Sequence, residues 1–191
     1  MSTATAQRIM LIRHAEKPDN PPPYGIGSKG EQSKECLTVF GWQRAGALAC
    51  LFAPSRGPLQ SPLISTPGVI FAAPHGGKAD DESQSHRPME TVTPLSQLLG
   101  ITLRTDFANG QEAEVAQAAM AEQGVVLVCW QHTDIPLIAN AIVGNDTTVP
   151  QKWPGDRFDI VWIFDLQPGG GYAFSQLPQL LLAGDQNSVI S

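Results

Sequence analysis

The 191-residue chain lacks the features of several common protein classes. It has 12 Lys and Arg against 18 Asp and Glu, for a net charge of −6, whereas nucleic-acid binding needs a clustered excess of basic residues. No apolar run approaches the roughly 18 residues of a membrane span, and the polar N-terminus lacks a secretory signal pattern. We therefore expect a cytoplasmic protein that binds neither nucleic acid nor a membrane.

Cysteine and histidine are also scarce, at 3 and 4 residues. Cys36, Cys50 and Cys129 have no spacing typical of a metal site, and their odd number fits reduced thiols. The histidines match no ligand pattern either, so we expect neither a metal site nor a cofactor. Cys129 lies within an apolar run and is predicted to be a small core residue.

Apolar runs predict the strands of a central sheet. Three nearly continuous runs, at 9–12, 69–72 and 125–130, are typical of parallel strands that helices cover on both faces. Segments 158–164 and 172–174 flank a glycine-rich turn and predict a hairpin of two further strands.

Helical patterns lie between these strands. Thr38 has the side chain of an N-cap for a helix over 39–52. Pro94 interrupts a pattern over 89–99, which predicts a helix that starts or restarts near the proline. The remaining helices are predicted, each before a glycine, at 111–123 and 135–143.

Alternating strands and helices predict an α/β fold, specifically a three-layer α/β/α sandwich with a mostly parallel central sheet. Residues 1–191 have the length of one domain with its own core. Two long loops, near 18–36 and 74–85, interrupt the regular pattern. Loops of this length in a compact domain are typical of lids and binding segments.

Cationic and imidazole side chains follow the predicted parallel strands. Arg13 and His14 follow the first strand. Arg87 lies beyond the second strand, and His132 follows the third. Because ligands of open α/β sheets bind beyond the carboxyl ends of the strands, we expect these residues to converge at one edge. A neutral imidazole can attack phosphorus and arginines bind phosphate oxygens, so the pattern favours phosphoryl transfer.

Four sequence blocks resemble, in order, the motifs of the histidine phosphatase superfamily, which has the phosphoglycerate mutase-like fold. The blocks are Leu11-Ile12-Arg13-His14-Ala15-Glu16, Leu37-Thr38-Val39-Phe40-Gly41-Trp42-Gln43-Arg44-Ala45, Arg87-Pro88-Met89-Glu90-Thr91 and Gln131-His132-Thr133-Asp134. They resemble the Arg-His signature after the first strand, the Leu-Ser/Thr-x-x-Gly helix start, the Arg-x-x-Glu/Gln-Thr motif and the second histidine. The resemblance extends over residues 8–143, about three quarters of the chain. The compact middle section is similar to that of the short phosphohistidine phosphatases.

The resemblance implies a role for each matched residue. His14 is implied to be the nucleophile that accepts the phosphoryl group. Arg13, Arg87 and His132 are implied to form the phosphate pocket, with no metal. Asn20 lies at the spacing where several members place an asparagine that contacts the phosphate.

The proton donor for the leaving group is the main departure from the family pattern. Many members place a Glu after the Arg-x-x-Glu-Thr helix, and segment 103–112 has no clear equivalent. Asp134 is the first candidate for the general acid, followed by Glu112 and Asp106. A helix-capping role for Asp134 is an equal alternative. A dedicated acid matters less for a phosphohistidine or an aryl phosphate, whose leaving groups need less protonation.

The sequence therefore predicts a metal-independent phosphatase that hydrolyses a phosphomonoester or phosphohistidine through a covalent phosphohistidine at His14. The expected partner is a small phosphorylated substrate or a phosphohistidine protein. Two alternatives stay open. A phosphomutase of the same fold would need more basic residues around a closed pocket. A non-catalytic regulatory protein that binds a phospho-ligand would explain the missing acid but not the intact nucleophile and arginines.

Overall fold

A computed structural model describes residues 5–20, 22–74 and 85–191 of the chain. Its elements follow in the order β1 (Ala6–Arg13), α1 (Val39–Phe52), β2 (Val69–Ala72), α2 (Arg87–Leu99), α3 (Glu112–Ala121), β3 (Gly124–Trp130), α4 (Ile135–Val143), β4 (Ile160–Leu166) and β5 (Tyr172–Pro178). Within the described ranges, no helix is long and apolar enough to span a membrane.

The strands form one sheet in the order β2-β3-β1-β4-β5. Strand β3 pairs in parallel with both β1 and β2. Strand β4 runs antiparallel to β1, and β5 runs antiparallel to β4. Four strands therefore point the same way and β4 runs against them, which confirms the mostly parallel sheet. The predicted hairpin of β4 and β5 is confirmed as well.

Helices cover both faces of the sheet, because side chains along each strand alternate between two apolar clusters. Met10, Ile12 and Cys129 point toward the cluster that contains the buried side of α1 and α2. Ile9 and Leu11 point toward the opposite cluster, which α3 and α4 complete. The three-layer sandwich predicted from the sequence is confirmed, and Cys129 lies in its core.

Two helices match their predicted bounds, and a third differs in an informative way. Helix α2 begins at Arg87, so the expectation that the chain starts or restarts a helix near Pro94 is wrong. Pro94 lies inside the helix, where it lacks the N–H that would bond to the carbonyl four residues earlier. The helix continues through this defect because Val92 and Leu95 are buried against the sheet.

The parallel register brings the carboxyl ends of the three neighbouring strands together. Arg13, the last residue of β1, lies opposite Trp130, the last residue of β3. Ala72, at the end of β2, lies opposite Cys129. The residues that follow these strands therefore share one edge of the sheet. The long loop predicted at 74–85 also starts at this edge, but residues 75–84, with His75, lie outside the described residues.

Candidate active site

His14 is held in one orientation by the chain around it. It is only 4% exposed, and its backbone N–H donates to the Trp130 carbonyl at 3.1 Å. The ring Nδ1 lies 2.7 Å from the carbonyl oxygen of Ala15. A carbonyl oxygen can only accept, so Nδ1 carries the proton and Nε2 keeps its lone pair. Nε2 is therefore the nitrogen available for attack.

The structure brings His14 together with the other basic residues predicted for the site. Burial lowers the pKa of His14 well below its usual value, which the hydrogen bond to Ala15 only partly opposes. The charges of Arg13, Arg87 and His132 lower the pKa further, because a second positive charge close to these groups is unfavourable. His14 is therefore a neutral base at physiological pH, close enough to Arg13 and Arg87 for their charges to lower its pKa.

Arg13 is fully buried and only partly satisfied. Its Nη1 donates to the carbonyl oxygens of Gly155 at 2.7 Å and Arg157 at 3.0 Å, and its Cζ lies 3.7 Å from the Phe158 ring centroid. Its Nε and Nη2 have no hydrogen-bond partner among the described residues. Burial lowers the pKa of Arg13 to about 10, so it stays charged at neutral pH. Two donors of a buried cation are thus available to an anion.

The third sequence block supports the loop that carries His14. Thr91 Oγ1 accepts a hydrogen bond from the Ala15 backbone N–H at 2.8 Å and donates to the Arg87 carbonyl at 2.7 Å. Glu90 accepts from the Leu37 backbone N–H at 2.8 Å. Each motif residue therefore fixes the backbone of another motif, which explains why these residue types occur together.

The second block supports the same loop from the opposite side. Thr38 caps α1 by accepting from the Gly41 N–H at 3.1 Å, and its own N–H donates to the Glu16 carbonyl at 3.0 Å. A Cβ at Gly41 would lie 2.5 Å from that same carbonyl oxygen, so only glycine fits there. Arg44 Nε donates to Glu16 Oε1 at 2.9 Å. These contacts hold the backbone just after His14.

A cavity of about 230 Å³ has in its wall a carboxylate that sequence reasoning missed. Glu35 lines this cavity, and its Oε2 lies 3.3 Å from Arg87 Nη2. Arg87 Nε also donates to the Glu35 carbonyl at 3.2 Å. Asn109 and Gln131 add amide groups to the cavity wall. Glu35 lies near the end of the long loop predicted at 18–36. The sequence around it has no helical or strand pattern that could have predicted its position in the site.

His132 lies close enough to Arg13 and Lys17 for their charges to act on it. Burial lowers the pKa of His132 to about 4, and the charges of Arg13 and Lys17 contribute. Its Nε2 would be 3.9 Å from a Cβ placed on Gly155, whose carbonyl accepts from Arg13. A neutral His132 can donate one hydrogen bond to a phosphate oxygen.

The candidate acids have different surroundings. Asp134 precedes α4 at the capping position, but its side chain makes no capping hydrogen bond. Burial raises the pKa of Asp134, and the negative charge of Glu112 raises it further, whereas a hydrogen bond from Thr133 opposes the rise.

Glu112 Oε1 accepts from the Trp130 indole N–H at 3.2 Å and the Gly110 N–H at 3.0 Å, which gives it a structural role. Asp106 pairs with Arg104 at an exposed position.

Asn20 and Phe158 are the two remaining residues with sequence predictions. Asn20 is exposed, and its contact with phosphate stays a prediction. Phe158 was predicted as the first residue of a strand, but β4 begins at Ile160 and Phe158 stacks on Arg13. A cation on an aromatic face gains roughly 0.5–2 kcal/mol, which helps to keep a buried charge in place.

Stability is expected to fall in mild acid because His132 resists protonation in the folded state. Its pKa in the folded chain is about 4, against an ordinary histidine value of 6.5, so only the unfolded chain takes up this proton between those pH values. The free energy of unfolding should therefore decrease as the pH is lowered through that window. His132→Asn removes this contribution, so urea unfolding at several pH values should show a smaller loss in the variant. Equal losses in the two proteins would contradict the low pKa.

Several solved structures are similar to this chain in fold. YhfR of Bacillus stearothermophilus has 14% sequence identity and a TM-score of 0.56, with 95% of this chain and 98% of that chain covered. A mutant phosphoserine phosphatase from Entamoeba histolytica, in complex with phosphoserine, has 13% identity and a TM-score of 0.53 over 88% of this chain and 94% of that one. The protein histidine phosphatase SixA, complexed with tungstate, has 11% identity and a TM-score of 0.53 over 90% of this chain and 97% of that one.

No protein-family model matches the sequence, and the comparison with curated proteins gives no match. The similarity to the solved structures extends over most of both chains. The chain therefore shares the α/β fold of these solved structures.

Proposed function

We propose that this chain is a phosphatase of the histidine phosphatase superfamily that hydrolyses its substrate through a phosphohistidine at His14. The observation that carries the proposal is the buried Arg13, whose Nε and Nη2 lack acceptors among the described residues. Leaving donors of a buried cation unpaired is costly, and an anion beside His14 would recover that cost. A phosphoryl group supplies oxygens of the right charge and spacing for a guanidinium fork.

The proposed reaction has two displacements at phosphorus. In the first, His14 Nε2 forms a bond to phosphorus while the bond from phosphorus to the leaving oxygen or nitrogen breaks. In the second, water attacks phosphorus and the bond to Nε2 breaks, which releases inorganic phosphate and the free imidazole. Arg13, Arg87 and the N–H of His132 bind the equatorial oxygens as charge spreads over them.

The leaving group must gain a proton in the first step. Asp134 is the proposed donor, because its raised pKa lets it hold a proton at a higher pH than an ordinary Asp. Glu112 is the weaker candidate, since its Oε1 already accepts hydrogen bonds from the Gly110 N–H and the Trp130 indole. A phosphohistidine or an aryl phosphate needs little help from either, so these substrates are expected to react fastest.

The activity can be tested with the purified chain and p-nitrophenyl phosphate. We expect release of inorganic phosphate and competitive inhibition by orthovanadate or tungstate, which resemble the transferred group. Movement of phosphate between two positions of a sugar acid, without free phosphate, would identify a phosphomutase. Tungstate binding without turnover of any activated ester would identify a binding protein. Either result would contradict the proposed hydrolysis.

Phosphate binding is expected to tighten when Glu35 is replaced by Gln. The Glu35 carboxylate lies 3.3 Å from Arg87, where it competes with an incoming phosphate for that guanidinium. A partly exposed pair of this kind is worth up to about 1 kcal/mol, or roughly a fivefold lower inhibition constant for tungstate. Glu114→Gln, at an exposed position of α3, is the matched control and should leave the constant unchanged. Weaker binding in Glu35→Gln would mean that Glu35 supports the anion site.

A further inference from the structure

Three side chains with metal-binding atoms meet beside Arg87. Cys36 Sγ, a ring nitrogen of His86 and a carboxylate oxygen of Glu90 all lie within 4.8 Å of one another. Cys36 Sγ lies 3.6 Å from His86 Nδ1. Cys36 is 2% exposed and Glu90 is 8% exposed, so the group is largely shielded from solvent.

The backbone arranges these side chains independently of any ligand. His86 and Glu90 are four residues apart at the start of α2, where this spacing places two side chains on one helix face. Segment 35–37 runs along the same turn, because the His86 N–H donates to the Glu35 carbonyl at 3.0 Å and Leu37 N–H donates to Glu90 Oε2 at 2.8 Å. That second bond ties Glu90 to the segment that carries Cys36.

The group has the chemistry and spacing of a zinc site. Tetrahedral zinc binds sulfur at about 2.3 Å and imidazole nitrogen at about 2.1 Å, which puts the two ligand atoms about 3.6 Å apart. The separation of Cys36 Sγ and His86 Nδ1 is the same. A thiolate and a carboxylate would neutralise a divalent cation, and a neutral imidazole would complete three ligands. A sulfur, nitrogen and oxygen set of this kind favours zinc over magnesium or calcium.

We propose that Cys36, His86 and Glu90 form a binding site for a zinc ion, with water or another donor in the fourth position. The ion joins the end of the loop at 18–36 to the first turn of α2. It thereby fixes the relative positions of Glu35 and Arg87, which flank its ligands in the sequence. The site is separate from the nucleophile, and its existence does not depend on the proposed phosphatase activity.

Binding changes the state of one ligand. Burial and the Glu90 carboxylate raise the pKa of the Cys36 thiol to about 11, so without a cation the thiol keeps its proton. When zinc binds, the sulfur–zinc bond forms and the thiol proton passes to solvent, because a coordinated thiol is deprotonated. The alternative is a purely structural trio in which the thiol hydrogen-bonds to its neighbours.

Cobalt(II) titration of the full chain, stripped of metal with a chelator, distinguishes these two states. We expect one equivalent of cobalt to give a near-ultraviolet band of thiolate-to-cobalt charge transfer, and one equivalent of zinc to abolish it. Cys36→Ser should remove the band and weaken zinc binding by at least about 100-fold, since even an outer-shell partner contributes up to that factor. Cys50→Ser, at an exposed thiol, is the matched control and should keep the band.

Two further measurements guard against misfolding and misassignment. Zinc should raise the thermal unfolding midpoint of the wild-type chain and of Cys50→Ser, but not of His86→Gln, because only an intact site gains stability by linkage. His132→Asn should keep the cobalt band, which separates this group from the candidate active site. No band in the wild-type chain, or a band that survives Cys36→Ser, would overturn the proposal whether or not the chain hydrolyses phosphate esters.

Discussion

Replacing His14 with Asn is expected to lower kcat for p-nitrophenyl phosphate by about 10⁴-fold or more, the scale of loss when an enzyme loses its nucleophile. Asn keeps a side-chain N–H that can donate to the Ala15 carbonyl, which His14 Nδ1 contacts at 2.7 Å. It has no nitrogen lone pair comparable to that of Nε2. The variant therefore removes the attack on phosphorus while it preserves the local hydrogen bond. Steady-state kinetics on the purified variant provides the measurement.

Tungstate binding to the same variant separates loss of chemistry from loss of structure. The guanidinium groups of Arg13 and Arg87 remain, so the dissociation constant for tungstate should change by no more than about tenfold, roughly one hydrogen bond to a charged group. Turnover within about tenfold of wild type would mean that another group attacks phosphorus. Loss of both tungstate binding and the cooperative unfolding transition would mean that His14 is needed for the fold.

Replacing Arg44 with Met is expected to lower the free energy of unfolding by about 3–5 kcal/mol, the usual cost of breaking a buried ion pair from one side. The Arg44 side chain is 3% exposed and donates to both carboxylate oxygens of Asp185, at 2.6 and 3.1 Å. It also bonds to Glu16 at 2.8 Å. Met fills a similar volume without the charge, so two carboxylates lose their counter-ion. Urea unfolding at neutral pH measures the difference.

The control and the acid dependence make this prediction specific. Arg56→Met, at an exposed position, should change the free energy by no more than about 0.5 kcal/mol. Burial alone would raise the pKa of Asp185, but hydrogen bonds from Arg44 and from the Leu181 and Leu182 N–H groups lower it. The stability from this carboxylate is therefore present near neutral pH and lost as acid protonates it, and the loss should be smaller in Arg44→Met. An Arg44→Met chain as stable as wild type would contradict the network.

The parts of the fold that the sequence predicted are those with local signals. Thr38 caps α1 at the predicted residue, because an N-cap hydroxyl depends only on its own turn. Glycine-rich residues between β4 and β5 form the predicted hairpin turn. The prediction of a helix start near Pro94 was wrong, because the sequence shows the loss of one hydrogen bond at this residue. It does not show the burial of Val92 and Leu95 in the folded core, which outweighs that loss.

The candidate site divides in the same way. Arg13, His14, Arg87 and His132 could be expected at one edge, because the carboxyl ends of parallel strands meet there. Glu35 and Cys36 could not, because their positions depend on how the loop at 18–36 runs along α2. The stacking of Phe158 on Arg13 was missed for a related reason. The segment reads as strand, and only the fold shows that β4 begins two residues later.

The motifs themselves have a physical explanation that the sequence alone could not supply. Thr91 accepts a hydrogen bond from the Ala15 N–H, just after His14, and Gly41 lets α1 approach the carbonyl of Glu16. Neither residue needs to contact phosphate. The second and third blocks therefore form a hydrogen-bonded support for the His14 loop.

Rapid acid-free quenching of the chain during turnover, followed by peptide mass spectrometry, tests for the proposed phosphohistidine at His14. A phosphohistidine is stable to alkali and labile to acid, so it can be told apart from phosphoserine and phosphothreonine. We expect a phosphoryl group on the peptide that contains His14, present in the wild-type chain and absent in His14→Asn. Turnover with no adduct on that peptide, or an adduct on His132 instead, would contradict this expectation.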